Sequence, residues 1–393
     1  MQPSPYTPGE VARDVPGRAV QLAQVDERLS YLLDLGRLLG RIRIDVAARG
    51  IGKTSLLREM QRHAEARGAL TAWVTAGEST GLVAAVAAEL ERLSTTWRGE
   101  AAKRLREAAG RLTITVGVPG VASLEARPRT PLDGPVRGVR EFEQAVRAAV
   151  EGARRHDARG FVLFLDEIQA ADADGLRTLA YAWQHLQSEA ADLPAGVFAA
   201  GLPTSPEVIA RVVTFSERFA YRPLDRLDPD AAMLALVAPA RALGVEWDRD
   251  ALASAVALTQ GFPYSVQLIG DATWAAAGYP AAGAVLTLAQ VTAGERAMQV
   301  DLDALFRSRW ENATPAERRL IRVMAELGGD RAVQRADIAA RMGTSTAELS
   351  VPRARLLDKG LVQAAGRGKL EFTIPGFADY VLNRAEWTQL PPG

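Results

Sequence analysis

The sequence predicts an α/β protein: a parallel sheet with covering helices, then a helical segment, then a small module of three helices and a hairpin. Three stretches carry that prediction. Residues 41–46, with Ile42, Ile44 and Val46 at alternate positions, read as a short strand that runs through a glycine-bearing loop into a helical run, Ser55 to Met60. Phe161-Val162-Leu163-Phe164-Leu165 is a continuous apolar run, the pattern of a strand buried on both faces of a parallel sheet. Asn312 to Glu317 carries helix-start signals, and further helix and strand patterns follow it. A chain of 393 residues favours two or three domains with ample core.

The loop after the first strand reads Ala47-Ala48-Arg49-Gly50-Ile51-Gly52-Lys53-Thr54-Ser55. Strand, glycine loop, Gly-Lys-Thr and helix are the parts of a P-loop. Glycines let successive N–H groups turn inward around a phosphate, and the helix N-terminus adds its positive end. Lys53 would reach the β- and γ-phosphates, and Thr54 would offer its hydroxyl to Mg²⁺. Arg49, Gly50, Ile51, Gly52 and Ser55 complete the expected cradle. The motif's first position is normally Gly and here is Ala47, a variant similar to helicase-type P-loops.

Upstream, Met1 to Glu10 is Pro-rich and reads as a mobile tail. Gly17-Arg18 precedes an amphipathic helix with Leu22, Val25, Leu29, Leu32 and Leu33 on one face. Downstream, Ala69 to Thr75 reads as a second strand and Thr80 to about Gly110 as helix. Residues 111–127 alternate as Leu112, Ile114 and Val116 before Pro119-Gly120, which predicts an inserted hairpin. Pro128 to Gly138 reads as a mobile loop, and Arg140 to His156 as a helix with Phe142, Val146 and Val150 inward. The apolar strand then ends in Asp166-Glu167, two carboxylates at the edge where open α/β sheets bind ligands. In a Walker B reading, Asp166 holds Mg²⁺ and Glu167 polarises the attacking water. Ala195 to Gly201 predicts another strand, with Thr204 and Ser205 after it as candidate γ-phosphate sensors or an ordinary capped loop.

Asp228 to Gly294 is Ala-rich and helical, interrupted by Gly261-Phe262-Pro263. Thr314, Pro315 and Glu317 fit N-cap, first helical position and capping box. Helices to about Leu327, over Arg335–Met342 and over about 346–359 are predicted, then two strands around Gly366-Arg367-Gly368-Lys369. Pro352 argues for a kink or an earlier break in the third helix. Three helices plus a hairpin make a winged helix-turn-helix. Its third helix would present Ser345, Thr346, Arg353, Arg355 and Lys359, and its wing Arg367 and Lys369, five basic residues against Glu348 and Asp358. Double-stranded DNA is one expected partner; docking on protein is the alternative.

These motifs, in this order, resemble AAA/STAND-type ATPases close to the archaeal replication-initiator fold, and actinobacterial ATP-binding proteins of the same layout. The resemblance covers nearly the whole chain. It implies a P-loop NTPase core over residues 1–225, a helical lid over 226–312 and a winged helix over 313–393. It implies ATP and Mg²⁺ as ligands, and a lid closing over the nucleotide. Gly17-Arg18 resembles the adenine-side segment, and Pro263 the lid proline that touches base or phosphate. Arg218, in Ser216-Glu217-Arg218 before Pro223-Leu224, resembles an arginine finger supplied across a subunit interface, which implies self-association. The departures are Ala47 and the lack of an asparagine sensor or a lid sensor arginine.

Composition bounds the alternatives. Formal net charge is +0, so a nucleic-acid surface must be a local patch. No cysteine is present, which excludes disulfides, thiolate zinc sites and cysteine nucleophiles, and three scattered histidines make no metal set. No apolar run reaches membrane-spanning length, and a cytoplasmic location is the expectation. The expected function is an ATP-hydrolysing switch. A nucleotide-binding DNA regulator with little hydrolysis and a nucleotide-gated protein scaffold are the alternatives.

Overall fold

The computed structural model describes residues 1–12, 14–77, 80–116 and 134–383. Contacts divide the chain into two compact units: a sheet unit of residues 18–47 and 53–224, and a helical unit of residues 1–17, 48–52 and 225–393.

The sheet unit runs α1 (Ala19–Leu33), β1 (Arg43–Val46), α2 (Lys53–Ala66), β2 (Ala69–Thr75), α3 (Leu82–Thr95), α4 (Glu100–Val116), α5 (Gly134–Arg155), β3 (Gly160–Asp166), α6 (Ala173–Glu189), β4 (Ala195–Gly201), α7 (Ser205–Val212) and β5 (Ala220–Pro223). Short 3₁₀ turns lie at Ile168–Ala170 and Ser216–Arg218. The sheet order is β2-β3-β4-β1-β5, and every pairing is parallel. The strand ends therefore gather on one edge. Thr75 is level with Asp166, and Val46 with both Gly201 and Pro223. Every residue of β3 and β4 is buried, as a sheet covered on both faces requires. The small side chains of β4 matter for that cover, since a Cβ on Gly196 would meet Leu32 and Leu39 at 2.8 Å.

Inner strand β1 buries charge. Arg43 donates to Asp45 through Nε (3.0 Å) and Nη2 (2.9 Å), and both residues are buried. Burial pushes the Asp45 carboxyl up, and the Arg43 bonds oppose it. Arg28 of α1, close by, is lowered to about 10 by burial and then by the charges of Arg43 and Arg222.

The region expected as a 111–127 hairpin is different where it is described. α4 continues to Val116, and Leu105, Ala108, Ala109 and Leu112 form its buried helical stripe. Residues 117–133, with the rest of that hairpin and most of the expected 128–138 loop, lie outside the described residues. Residues 134–138 belong to α5. The 80–110 helix is two helices, broken at residues 96–99, where Gly99 takes φ +81°.

The helical unit runs α8 (Pro229–Ala242), β6 (Glu246–Trp247), α9 (Arg249–Thr259), α10 (Pro263–Ala276), β7 (Val285–Leu286), α11 (Leu288–Glu311), α12 (Pro315–Gly328), β8 (Val333–Gln334), α13 (Arg335–Met342), α14 (Ser350–Asp358), β9 (Val362–Ala364), β10 (Lys369–Phe372) and α15 (Phe377–Leu382). β6 and β7 form a two-residue parallel pair, and β10 lies antiparallel between β8 and β9. The expected capping box is present at α12. The third helix of the last module starts at Ser350, not near 346, so Pro352 sits in its first turn, where a missing N–H is harmless.

The N-terminal segment is no loose tail. Tyr6 is buried; its hydroxyl donates to Leu236 O (2.5 Å) and accepts from Trp247 Nε1 (3.2 Å), while Trp274 Nε1 donates to Gln2 O (3.1 Å). Gly270 of α10 leaves room for the Tyr6 ring, which a Cβ there would meet at 2.6 Å. Among the described residues no helix is long and apolar enough to cross a membrane.

Candidate functional site

The loop after β1 has the backbone the motif needs. Gly50 and Gly52 both take φ +86°, a left-handed conformation that glycine adopts freely. Ala47 is not among the non-glycine residues with positive φ, so its Cβ brings no backbone strain at the motif's first position. Its N–H donates to Gly201 O (3.1 Å) at the end of β4. A Cβ on Gly52 would meet nothing within 4 Å, so the loop is open there, whereas one on Gly50 would meet Phe262 Cζ at 2.5 Å. Within the helical unit the loop is therefore clasped by the start of α10: Phe262 closes on Gly50, and Tyr264 N–H donates to Gly50 O (3.2 Å). Pro263 is the first residue of α10 between these two, and its neighbours make those loop contacts. Ile51 is buried and Arg49 exposed. The aliphatic stem of Arg49 passes Gly360, between α14 and β9, at 3.5 Å from where a Cβ would stand.

Lys53, Thr54 and Ser55 open α2 in the sheet unit, with Lys53 and Ser55 buried. Thr54 Oγ1 donates to Asp166 Oδ2 (2.8 Å). Asp166 Oδ1 accepts from the Glu167 N–H (3.0 Å). Burial pushes the Asp166 carboxyl up; the bonds from Thr54 and the Glu167 N–H pull it down, the Glu167 charge pushes it up, and the Lys53 charge pulls it down. Such a desolvated carboxylate gains from a cation, and one carboxylate, one hydroxyl and substrate phosphates are a usual Mg²⁺ set. Among the described residues no cluster of three His, Asp or Glu offers a complete protein cage. Glu167 follows in the left-handed region (φ 52°, ψ 42°), a placement that costs a non-glycine residue about 1–2 kcal/mol.

Gly17 and Arg18 fall in different units. Gly17, at φ +79°, packs on α8, where a Cβ would meet Ala231 Cβ at 2.3 Å, and Arg18 is the buried N-cap of α1. Arg218 ends the second 3₁₀ turn, exposed, with its guanidinium 5.6 Å from the Phe215 ring centre. Thr204 and Ser205 are buried, and the Ser205 hydroxyl donates to Leu202 O (2.6 Å).

Two residues escaped sequence reasoning. Gln169 donates through Nε2 to Glu167 Oε2 and accepts the Leu202 N–H at Oε1 (2.8 Å). Arg58 of α2 lies 3.4 Å over the Trp73 ring and is within electrostatic reach of Asp166. A lone Gln and a lone Arg carry no motif, so only the fold reveals them.

In the last module Arg355, Arg367 and Lys369 are exposed. Arg353 is half-buried, with Nε lacking a hydrogen-bond partner. Ser345 and Thr346 are exposed but precede α14 in a turn, where Ser345 Oγ accepts from Glu348 N (3.3 Å). Lys359, expected on the DNA-facing helix, is half-buried and already paired. Its Nζ donates to Glu317 Oε2 (2.6 Å) and Asn312 O (2.7 Å), because the fully buried capping-box carboxylate needs a counter-charge.

Residues 15–198 match the family described as the AAA ATPase domain, and residues 303–381 match a domain of unknown function (DUF8462). No curated protein has a matching sequence. Among solved structures, the Walker-type ATPase PABY2304 of Pyrococcus abyssi is similar at 13% identity and TM-score 0.58, over 97% of this chain and 99% of that one. The Aeropyrum pernix ORC2 protein, solved as ADPNP-ADP complexes, is similar at 13% identity and TM-score 0.59, over 94% and 95%. At that identity the likeness is one of fold. Loop, parallel sheet and family match agree: residues 15–198 have the P-loop NTPase fold and match the AAA ATPase domain family in sequence.

Proposed function

We propose that the protein is an ATP-driven switch that binds and hydrolyses ATP and relays its nucleotide state to the C-terminal module. The observation that carries the hydrolytic part is the Thr54–Asp166 hydrogen bond, which joins the phosphate loop's helix to the end of β3 across 112 residues of sequence. In this reading the loop amides of residues 49–53 and Lys53 bind the phosphates, with Ser55 and Arg49 at the margins. Thr54 and Asp166 hold Mg²⁺, which when bound neutralises phosphate charge. Glu167 accepts a hydrogen bond from the attacking water and aligns it. Gly17, Arg18 and Pro263 serve the nucleotide's base side, and Arg218 acts as a finger toward a neighbouring copy.

The relay is supported by the loop's own contacts. Gly50 lies under Phe262, and Arg49 lies against Gly360, where the C-terminal hairpin begins. The order α12, β8, α13, α14, β9, β10 supports reading that module as a winged helix over about 313–383, after a lid of α8–α11. In this proposal Arg353, Arg355, Arg367 and Lys369, with Ser345 and Thr346 at the turn, contact double-stranded DNA, and a cytoplasmic location goes with it. The commitment of Lys359 to Glu317 thins that basic set, which favours a second reading: the module contacts protein.

Two variants test the proposal. Lys53→Ala should abolish nucleotide binding and its stabilisation against heat, because Lys53 contacts phosphate in ground and transition states alike. Glu167→Gln should keep ATP affinity while slowing turnover by roughly 10²-fold or more. Equal ATP affinity in the wild type and Lys53→Ala would refute the site. DNA binding that weakens with salt, and differs between the two variants, supports the DNA reading; binding absent at all salt concentrations supports the protein one.

A further inference from the structure

Glu167 is held from several directions. Its backbone is left-handed, its N–H is fixed on Asp166 Oδ1, and its Oε2 accepts from Gln169 Nε2. Gln169 is itself pinned. It lies in the 3₁₀ turn that Ala170 N–H closes on Glu167 O (2.8 Å), and its Oε1 accepts the Leu202 N–H (2.8 Å) just past β4. The same residue is gripped a second time, because the Ser205 hydroxyl donates to Leu202 O. Gly201 permits this closeness: a Cβ there would stand 2.2 Å from Ser205 Oγ, 2.8 Å from Gln169 Oε1 and 2.9 Å from Ile168 Cγ2.

We infer that Gln169 is a positioning residue for Glu167, fixing one carboxylate oxygen so that the other is aimed at the attacking water. The inference rests on the reading of Glu167 as the water-aligning group. The chemistry selects glutamine. The carboxylate needs a donor and the Leu202 N–H needs an acceptor, and one side-chain amide supplies both in a single orientation. Glutamate would keep the acceptor and lose the donor, setting two carboxylates against each other. Leucine would keep the size and lose both bonds. A carboxylate without this tether rotates about its last torsions, and a misplacement of about 1 Å in a reacting group costs roughly 10²-fold in rate. Gln169 touches no substrate in this scheme, so its effect belongs in kcat and not in nucleotide affinity.

The test uses the full chain. Steady-state ATP turnover and equilibrium ATP affinity are measured for the wild type, Gln169→Leu, Gln169→Glu, Glu167→Gln and the double variant Glu167→Gln/Gln169→Leu. Gln169→Leu and Gln169→Glu should lower kcat by about 10–100-fold, with ATP affinity unchanged within about twofold. In the Glu167→Gln background, adding Gln169→Leu should change kcat by less than about twofold, since groups acting as one unit are not additive. Gln169→Glu, which keeps the Leu202 acceptor, covers the case in which Gln169→Leu fails to fold. Undiminished kcat in the Gln169 variants, an affinity loss that parallels the rate loss, or multiplicative losses in the double variant would overturn the inference alone. A wild type that binds ATP without turnover would remove the hydrolytic reading and this inference with it.

Discussion

Gly50→Ala is the most direct probe of how the phosphate loop is built into the helical unit. Two terms add. The backbone at Gly50 has φ +86°, and placing an L side chain there costs about 1–2 kcal/mol. The new methyl would stand 2.5 Å from Phe262 Cζ, while ordinary carbon contacts lie near 3.5–4.0 Å, so the ring must retreat by about 1 Å. Phe262 is 1% exposed and has nowhere to go, and overpacking of this kind costs about 1–3 kcal/mol. The sum is about 2–5 kcal/mol. Phe262→Leu removes Cζ and should remove only the second term. A double-mutant cycle read by denaturant titration, with Trp247 and Trp274 reporting on the helical unit, should give a coupling of about 1–3 kcal/mol between the two sites. A Gly50→Ala cost that is the same in both backgrounds would show that the Phe262 contact does not clasp the loop.

Three further outcomes follow from the geometry. Asp166 sits above its ordinary value because of burial, so between the ordinary and raised values the folded state holds more protons than the unfolded one. Stability of the nucleotide-free protein then falls as pH rises through that window, and Asp166→Asn should flatten the dependence and stabilise at neutral pH. The same variant should lose the Mg²⁺-dependent stabilisation by ATP, about 2.7 kcal/mol at a hundredfold excess over Kd; denaturant titrations across pH, with and without Mg-ATP, read both. Burial pushes the Glu317 carboxyl up, but the Lys359 ammonium and the Thr314 N–H outweigh it and hold it low. Its stability contribution is thus present above the ordinary carboxylate value and lost as pH falls through the lowered one. Lys359→Met should cost about 3 kcal/mol in a urea titration at pH 7, against under about 0.5 for Arg367→Ala. Tyr6→Phe should cost about 1–2 kcal/mol by the same assay, since Trp247 and the Leu236 carbonyl lose a buried partner.

Much of the sheet unit was legible because its signals are local. A glycine-bearing loop between strand and helix, an apolar run ending in two carboxylates and the small-residue strand Ala195–Gly201 each announce themselves within about ten residues. The capping box Thr314–Glu317 did too. The rest depends on partners far along the chain. A Pro-rich opening looks loose until Tyr6 meets Gly270, Leu236 and Trp247. Nothing in the sequence near Lys359 points to its ion pair with Glu317, 42 residues earlier. The 111–116 stretch alternates, yet it continues α4, whose buried stripe of Leu105, Ala108, Ala109 and Leu112 is set mostly upstream of it. Gln169 has no sequence signature at all, because its role exists only through Glu167 and Leu202.

The loop's contacts also constrain any switch built on it. A ligand moves an equilibrium only by its differential affinity for the two states. Residues 48–52 are bonded to β1 and α2 through the chain, yet their contacts group them with the helical unit. Two contacts of unequal strength tie them there. The Gly50–Phe262 contact involves a buried aromatic ring plus the Tyr264 N–H bond to Gly50 O, and separating it would cost a few kcal/mol. The Arg49–Gly360 contact is an exposed arginine stem beside a glycine, worth well under about 1 kcal/mol per methylene covered. A nucleotide that shifts the loop by a modest fraction of its binding energy would therefore carry the α10 N-terminus with it and yield first at Gly360. That glycine is also where α14 ends and the hairpin begins, with φ +65° and with Arg309 Nη1 bonded to the preceding Lys359 O (3.2 Å). The weaker contact is thus the one beside the C-terminal hairpin.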